Sequence, residues 1–183
     1  LLPRALPKSR EILGYISTID TCLIINTPHS SDAELFINCL RDSLGSLLVV
    51  PLQLKENPSK YFTQWLLNRN LPENIVLGDQ CDLRDIENGA TVTCRHQDLS
   101  AREIRNHIES GKICTKIGLI WEGQLQATVD TDLVLRQLSM GTRENSEEDP
   151  ESQFDTALAE TALTLSRFIP ELIRALGGET ATN

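Results

Sequence analysis

The chain has 183 residues, 40% of them hydrophobic and 4% aromatic, with a formal net charge of -9. That length holds one large or two small domains with a real core, and the charge on its face argues against a nucleic-acid partner. The average misleads: Glu144, Glu147, Glu148, Asp149, Glu151, Asp155 and Glu160 stand together with no Lys or Arg among them, and removing these 7 from 26 acidic residues leaves 19 against 17 basic ones.

Two apolar runs, Ile12 to Thr18 and Cys22 to Asn26, flank Asp20-Thr21 and read as a hairpin. Ser31 with Glu34 has the spacing of a capping box, and Ala33, Phe36, Ile37, Leu40 and Leu44 follow at helical spacing up to Gly45. Leu47-Leu48-Val49-Val50 reads as a buried strand ended by Pro51, which gives a β-β-α-β unit over residues 1–54. A second domain, 55–183, opens with a helix at Asn57-Pro58 that carries Tyr61, Phe62, Trp65 and Leu66. Asp79 to Asn88 is expected to be a short helix through Leu83 and Ile86, and Thr91 to Gln97 a strand. A helix from Ser100 to Ser110 follows. Ile113 to Trp121, Gln124 to Val129 and Leu133 to Leu138 make an antiparallel meander with turns at Glu122-Gly123 and Asp130-Thr131-Asp132. The acidic linker 144–153 leads to a C-terminal helix from about Phe154, striped by Leu158, Leu165, Ile169, Leu172, Ile173 and Leu176. Pro170 is expected to kink it, and Gly177-Gly178 to end it. The fold class is therefore α+β.

Cys22, Cys39, Cys81, Cys94 and Cys114 are odd in number and lack CxxC spacing, so they read as reduced thiols of a cytosolic protein rather than as a zinc site or disulfide framework. No apolar run approaches ~18 residues, so no membrane span is expected. Leu1-Leu2 has neither an initiator Met nor a signal-peptide pattern, so the chain reads as part of something longer.

The acidic background makes one basic island conspicuous. Arg95, Arg102, Arg105, Lys112 and Lys116 surround the Ser100 to Ser110 helix, with Gln97 and Asn106 as added donors. Ser100 with Glu103 fits a capping box, and Leu99 with Ile104 a hydrophobic staple. Ile104 and Ile108 face the core, while Arg102, Arg105 and Glu109 share a solvent-directed face. Strand alternation sets Lys112, Cys114 and Lys116 on one side and Ile113, Ile117 and Leu119 on the other. On residue chemistry alone, this is an ordinary solvated helix face with an Arg105–Glu109 ion pair, or a phosphate-binding surface.

This segment resembles the RdgC family, the bacterial recombination-associated proteins. The likeness lies in Gln97-Asp98-Leu99-Ser100, Glu103-Ile104, Asn106-His107-Ile108-Glu109, Gly111-Lys112 and Thr115-Lys116. It extends to Leu1-Leu2-Pro3-Arg4-Ala5, Ser43-Leu44-Gly45-Ser46-Leu47, Val49-Val50-Pro51-Leu52 and Leu176-Gly177-Gly178-Glu179. The resemblance implies half of a central domain followed by a base domain, the C-terminal two-thirds of the full protein. It implies a nucleoid-associated, cytoplasmic protein that binds DNA without sequence specificity, and homodimeric rings that encircle duplex DNA and restrain RecA-driven recombination. Arg95, His96, Gln97, Arg102, Arg105, Lys112 and Lys116 are then the DNA-binding candidates, with His96 at a position that can be Lys in relatives. Leu6 stands where relatives can carry an aromatic residue at a subunit interface. No cofactor, metal or catalytic residue is implied.

Two rival readings are a nuclease and an acidic protein-interaction module. Metal-dependent cleavage needs converging carboxylates, and the local candidates are Asp98, Glu103 and Glu109. The interaction module would use the segment Glu144 to Glu160. His29, His96 and His107 are too scattered for a nucleophile–base pair.

Overall fold

The computed structural model describes residues 11–141 and 150–180, which fall in two compact units, Leu1–Pro51 and Leu52–Asn183. Leu6 and the acidic residues Glu144 to Asp149 lie outside the described residues.

In the first unit β1 (Gly14–Ser17) and β2 (Cys22–Ile25) form the expected antiparallel hairpin. The Ser17 hydroxyl donates to Asp20 Oδ2 at 2.7 Å and accepts the Asp20 amide at 3.1 Å, which fixes the turn. α1 (Ser30–Leu44) packs close to this hairpin: a Cβ added at Gly14 would stand 2.8 Å from Cζ of Phe36. The Ser31–Glu34 capping box does not form. His29 is the N-cap, without a side-chain bond, so Ser31 already lies inside the first turn. The third strand is also absent: residues 46–50 carry no pairing, Leu48 is 97% exposed and Val50 58%. An apolar run becomes a strand only where a neighbour takes its backbone bonds, and neither hairpin edge does so. The unit is β-β-α, and no apolar side chain among its described residues is buried.

The second unit is an antiparallel five-stranded sheet, order β4-β3-β5-β6-β7, with helices over one face. α2 (Pro58–Asn68) starts as its sequence dictates, with Asn57 Oδ1 accepting the Ser59 amide at 2.9 Å and Pro58 at the first turn. β3 (Ile75–Asp85) replaces the short helix expected at Asp79 to Asn88. Ile75, Cys81 and Leu83 are buried, a period near two. The polar end of that stretch is a turn, in which Asp85 Oδ1 accepts the Glu87 and Asn88 amides at 2.9 and 3.3 Å. β4 (Thr91–Cys94) and α3 (Arg102–Glu109) follow, and then the expected meander: β5 (Lys112–Trp121), β6 (Leu125–Asp130) and β7 (Leu135–Met140). Asp130 Oδ1 holds the last turn by accepting the Asp132 and Val134 amides.

Cys81, Leu83, Cys94, Cys114, Ile117, Leu119, Trp121, Leu125, Ala127 and Val129 pave the buried face of the sheet. Phe62, Trp65 and Leu66 of α2 and Ile104 and Ile108 of α3 complete that core. α4 (Pro150–Ala175) adds Leu165, Phe168 and Leu172, and Leu176 just past its end is buried too, with Phe168 tilted against Trp121. The helix begins earlier than Phe154, runs through Pro170, and leaves Leu158 40% exposed. It closes on Gly177-Gly178: the Gly178 amide reaches Ile173 O at 2.9 Å and the Gly177 amide Arg174 O at 3.1 Å. Gly177 has φ +88°, and a Cβ there would collide with the Tyr61 hydroxyl. The chain then runs beside residues 53–55. Leu54 bridges Glu179, the Lys55 amide donates to Gly178 O at 3.0 Å, and the Thr180 amide to Gln53 O at 2.8 Å.

Three thiols meet in this core. Cys81 and Cys94 face each other across β3 and β4. Burial, then the neighbouring Cys94 thiol, pushes Cys81 up to about 12, and burial drives Cys114 well above the usual thiol range. Among the described residues no helix is long and apolar enough to cross a membrane.

Candidate nucleic-acid interface

The basic segment occupies the β4–α3 passage and the start of β5. Leu99, Ile104 and Ile108 are buried and anchor α3 to the core. The Ser100–Glu103 capping box does not form: Ala101 is the N-cap and offers no side-chain acceptor. Asp98 has taken Ser100 instead, accepting its hydroxyl at 2.7 Å and its amide at 2.8 Å. These two bonds hold the Asp98 carboxyl below the usual carboxylate range. Glu103 is engaged by Gln97, whose side-chain amide donates to Oε2 at 2.8 Å.

Two arginines fasten α3 to α2. Arg105 donates to Leu67 O at 3.0 Å, satisfying a carbonyl left open at the end of α2. Its expected ion pair with Glu109 is not made. Arg69, which the sequence reading passed over, is the C-cap of α2 at φ +53° and donates to Ser100 O at 3.3 Å. A cation directly after a helix end, among unsatisfied carbonyls, was the available signal.

The remaining candidates separate by what they touch. His96 lies at φ +53° with its ring 92% exposed and Nδ1 3.0 Å from Asp79 Oδ2. Lys112 Nζ donates to Ser110 Oγ at 3.3 Å; the Glu87 and Asn88 amides hold the Asp85 carboxyl below its usual range, and the Lys112 charge adds to their effect. Lys116 forms an ion pair with Asp82 directly across the sheet, with both side chains about a quarter exposed at 27% and 24%. Arg95 and Arg102 are exposed and have no hydrogen-bond or ion-pair partner among the described residues.

Lys112, Cys114 and Lys116 do not share a side of β5. Asp82 pairs with Lys116 but Leu83 with Cys114, so Thr115 is an extra residue in the strand. Such a bulge reverses the alternation beyond it. Cys114 therefore points into the core with Leu83, and Lys116 lies on the open face with Asp82.

The RdgC family profile, described as "Putative exonuclease, RdgC", matches residues 1–179. The chain belongs to the RdgC family. It is 35% identical to the recombination-associated protein RdgC of Aeromonas hydrophila over 98% of its own length and 61% of the relative's. Identity to the protein of that name from Yersinia enterocolitica is 37%, over 98% and 61% of the two lengths. For Pseudomonas syringae pv. tomato it is 32%, over 97% and 60%. The chain thus spans about three-fifths of these curated relatives. The two descriptions differ in chemistry, one naming a nuclease and the other a role in recombination. Among the described residues no group of three or more His, Cys, Asp or Glu is placed to hold a metal ion, and Asp98 and Glu103 are spent on Ser100 and Gln97.

Proposed function

We propose that this RdgC-family chain contacts the phosphate backbone of DNA without reading sequence, through the β4–α3 passage. The observation that carries the reading is the pair of exposed, unengaged guanidinium groups of Arg95 and Arg102, held on a passage anchored by buried Leu99 and Ile104. Lys112 and Gln97 flank them, and Arg105 and Arg69 hold the scaffold. Lys116 contributes after leaving Asp82. In the full-length protein the reading extends to homodimeric rings around duplex DNA. Encirclement opposes RecA filaments by occupying the duplex, without a catalytic step.

Phosphate contacts release counterions, so affinity falls steeply with salt and varies little with sequence. The test is a fluorescence-anisotropy titration of duplexes of unrelated sequence across a salt series, for the wild type and Arg95→Ala/Arg102→Ala. Loss of two contacts lowers the log–log slope by about 1.8. An unchanged slope and affinity would remove this passage from the DNA surface. The nuclease reading makes the opposite demand: Mg²⁺-dependent loss of an end-labelled duplex, abolished in Glu109→Ala.

A further inference from the structure

The N-terminal half of α4 carries apolar side chains that the core does not use. Residues 152–159 are exposed without exception, whereas Leu165, Phe168 and Leu172 further along the same helix are buried. At ~100° per residue, Phe154 and Leu158 fall on the same stripe as those three. The stripe therefore runs on past the core, and its two outer members stand in water. Leu163 is exposed as well but points to the opposite side of the helix, ~180° from Phe154. A free-standing helical segment of about 14 residues is marginal on its own. Apolar residues at i and i+4 are the kind of anchors by which a helix enters a groove.

Charge decides what covers this stripe. Asp155 lies beyond one border, ~100° from the stripe's centre, and Glu160 beyond the other at ~120°. The sequence holds no Lys or Arg from Glu144 to Ser166. Such a helix repels nucleic acid, which is bound through cationic side chains. It also lacks the basic polar face of helices that lie on membranes. A second copy of α4 would bring Asp155 and Glu160 against like charges, which disfavours pairing. The complementary surface is apolar with a cationic rim. We propose that Phe154 and Leu158, bordered by Asp155 and Glu160, dock into an apolar groove rimmed by Lys or Arg on a partner protein. This surface shares no residue with the Arg95–Arg102 passage, so the two readings stand or fall separately.

The probe is a fluorescein-labelled helical peptide of Leu and Lys, with Leu at i, i+3, i+4 and i+7, titrated with the chain and read by anisotropy. Saturable binding that weakens with salt is expected. Phe154→Gln/Leu158→Gln lowers affinity at least tenfold, because both anchors are lost. Asp155→Asn/Glu160→Gln also binds more weakly, with a flatter salt dependence, while Leu163→Gln binds as the wild type does. Gln keeps helix propensity, and an unchanged circular-dichroism spectrum and thermal transition verify the fold of each variant. Absence of saturable binding, equal affinity for a Leu–Glu or an all-Lys peptide, or wild-type affinity in Phe154→Gln/Leu158→Gln would overturn the proposal. A dimer of the chain in sedimentation that Phe154→Gln/Leu158→Gln dissolves would overturn it too, by making a second copy the occupant.

Discussion

Lys116 offers the sharpest test of the proposal that DNA contacts the second unit. Its ammonium is matched across the sheet by Asp82, on the face that carries no helix. A phosphate reaching this face would compete with a carboxylate already in place. Asp82→Asn removes that competitor and a repelling charge while keeping the side chain's size. The lost ion pair is partly exposed, so the stability cost should be under about 1 kcal/mol, or a fall in Tm of about 2–4 °C for a chain of this size. One freed contact steepens the log–log salt dependence by about 0.9, so between about 50 and 200 mM salt the variant's affinity falls about 3.5-fold more than the wild type's. At the lowest salt Asp82→Asn should bind duplex DNA more tightly than the wild type, and Lys116→Ala should cancel the gain in the double variant. An anisotropy series on the four proteins measures all of this. If Asp82→Asn keeps the wild-type slope and affinity at every salt concentration, Lys116 does not exchange its carboxylate for phosphate and the open face is not a DNA surface.

Three further expectations concern the scaffold. The buried indole of Trp121 donates to Glu171 at 2.8 Å, and Asn74 donates to the same carboxylate at 3.0 Å; Glu171→Ala leaves that N–H without an acceptor and should cost about 1–3 kcal/mol in urea unfolding, while Glu171→Gln, which keeps one oxygen, should cost less. Arg105→Ala should lower stability by about 1 kcal/mol through the lost bond to Leu67 O, yet change the salt slope far less than Arg95→Ala; an equal change in slope would make Arg105 a DNA contact. The Cys81 thiol stays protonated in the fold up to about 12, whereas the unfolded thiol ionises near 9.0. The folded state therefore holds the extra proton, and stability falls as pH rises from about 9, by up to about 1.4 kcal/mol per pH unit for that group. Cys81→Val should fall less steeply over the same range, and in the wild type a thiol reagent should label Cys39 quickly but Cys81, Cys94 and Cys114 only on unfolding.

Most elements of the second unit were legible because their signals are local. Asn57-Pro58 opens α2, alternation marks the meander, and paired glycines close α4. β3 was misread because Leu83 and Ile86 sit three apart, a helical spacing, although Ile86 proves 70% exposed and only the alternation of Cys81 and Leu83 faces the core. Both capping boxes failed for a shared reason: the motif gives a spacing, but where the helix begins depends on how the preceding chain is held. Asp98 captured Ser100 and Gln97 captured Glu103, choices made by tertiary position. The island of positive charge was visible in the sequence. Its division into engaged and unengaged cations was not, because Asp82 and Leu67 lie 34 and 38 positions away from Lys116 and Arg105. The bulge at Thr115 has no signature in residue type, and it alone separates Lys112 from Lys116.

The seam between residues 53–55 and 178–180 gives the second unit a mechanical character. Its two ends lie side by side in antiparallel pairing, joined at Leu54–Glu179 and by the amides of Lys55 and Thr180. Pulling those ends apart would load these few bonds one after another, like a zipper, before any tension reached the sheet. Because the ends already touch, the unit could be cut open at the Glu122-Gly123 turn and rejoined across the seam by a short linker. The chain would then be threaded in a new order around the same core.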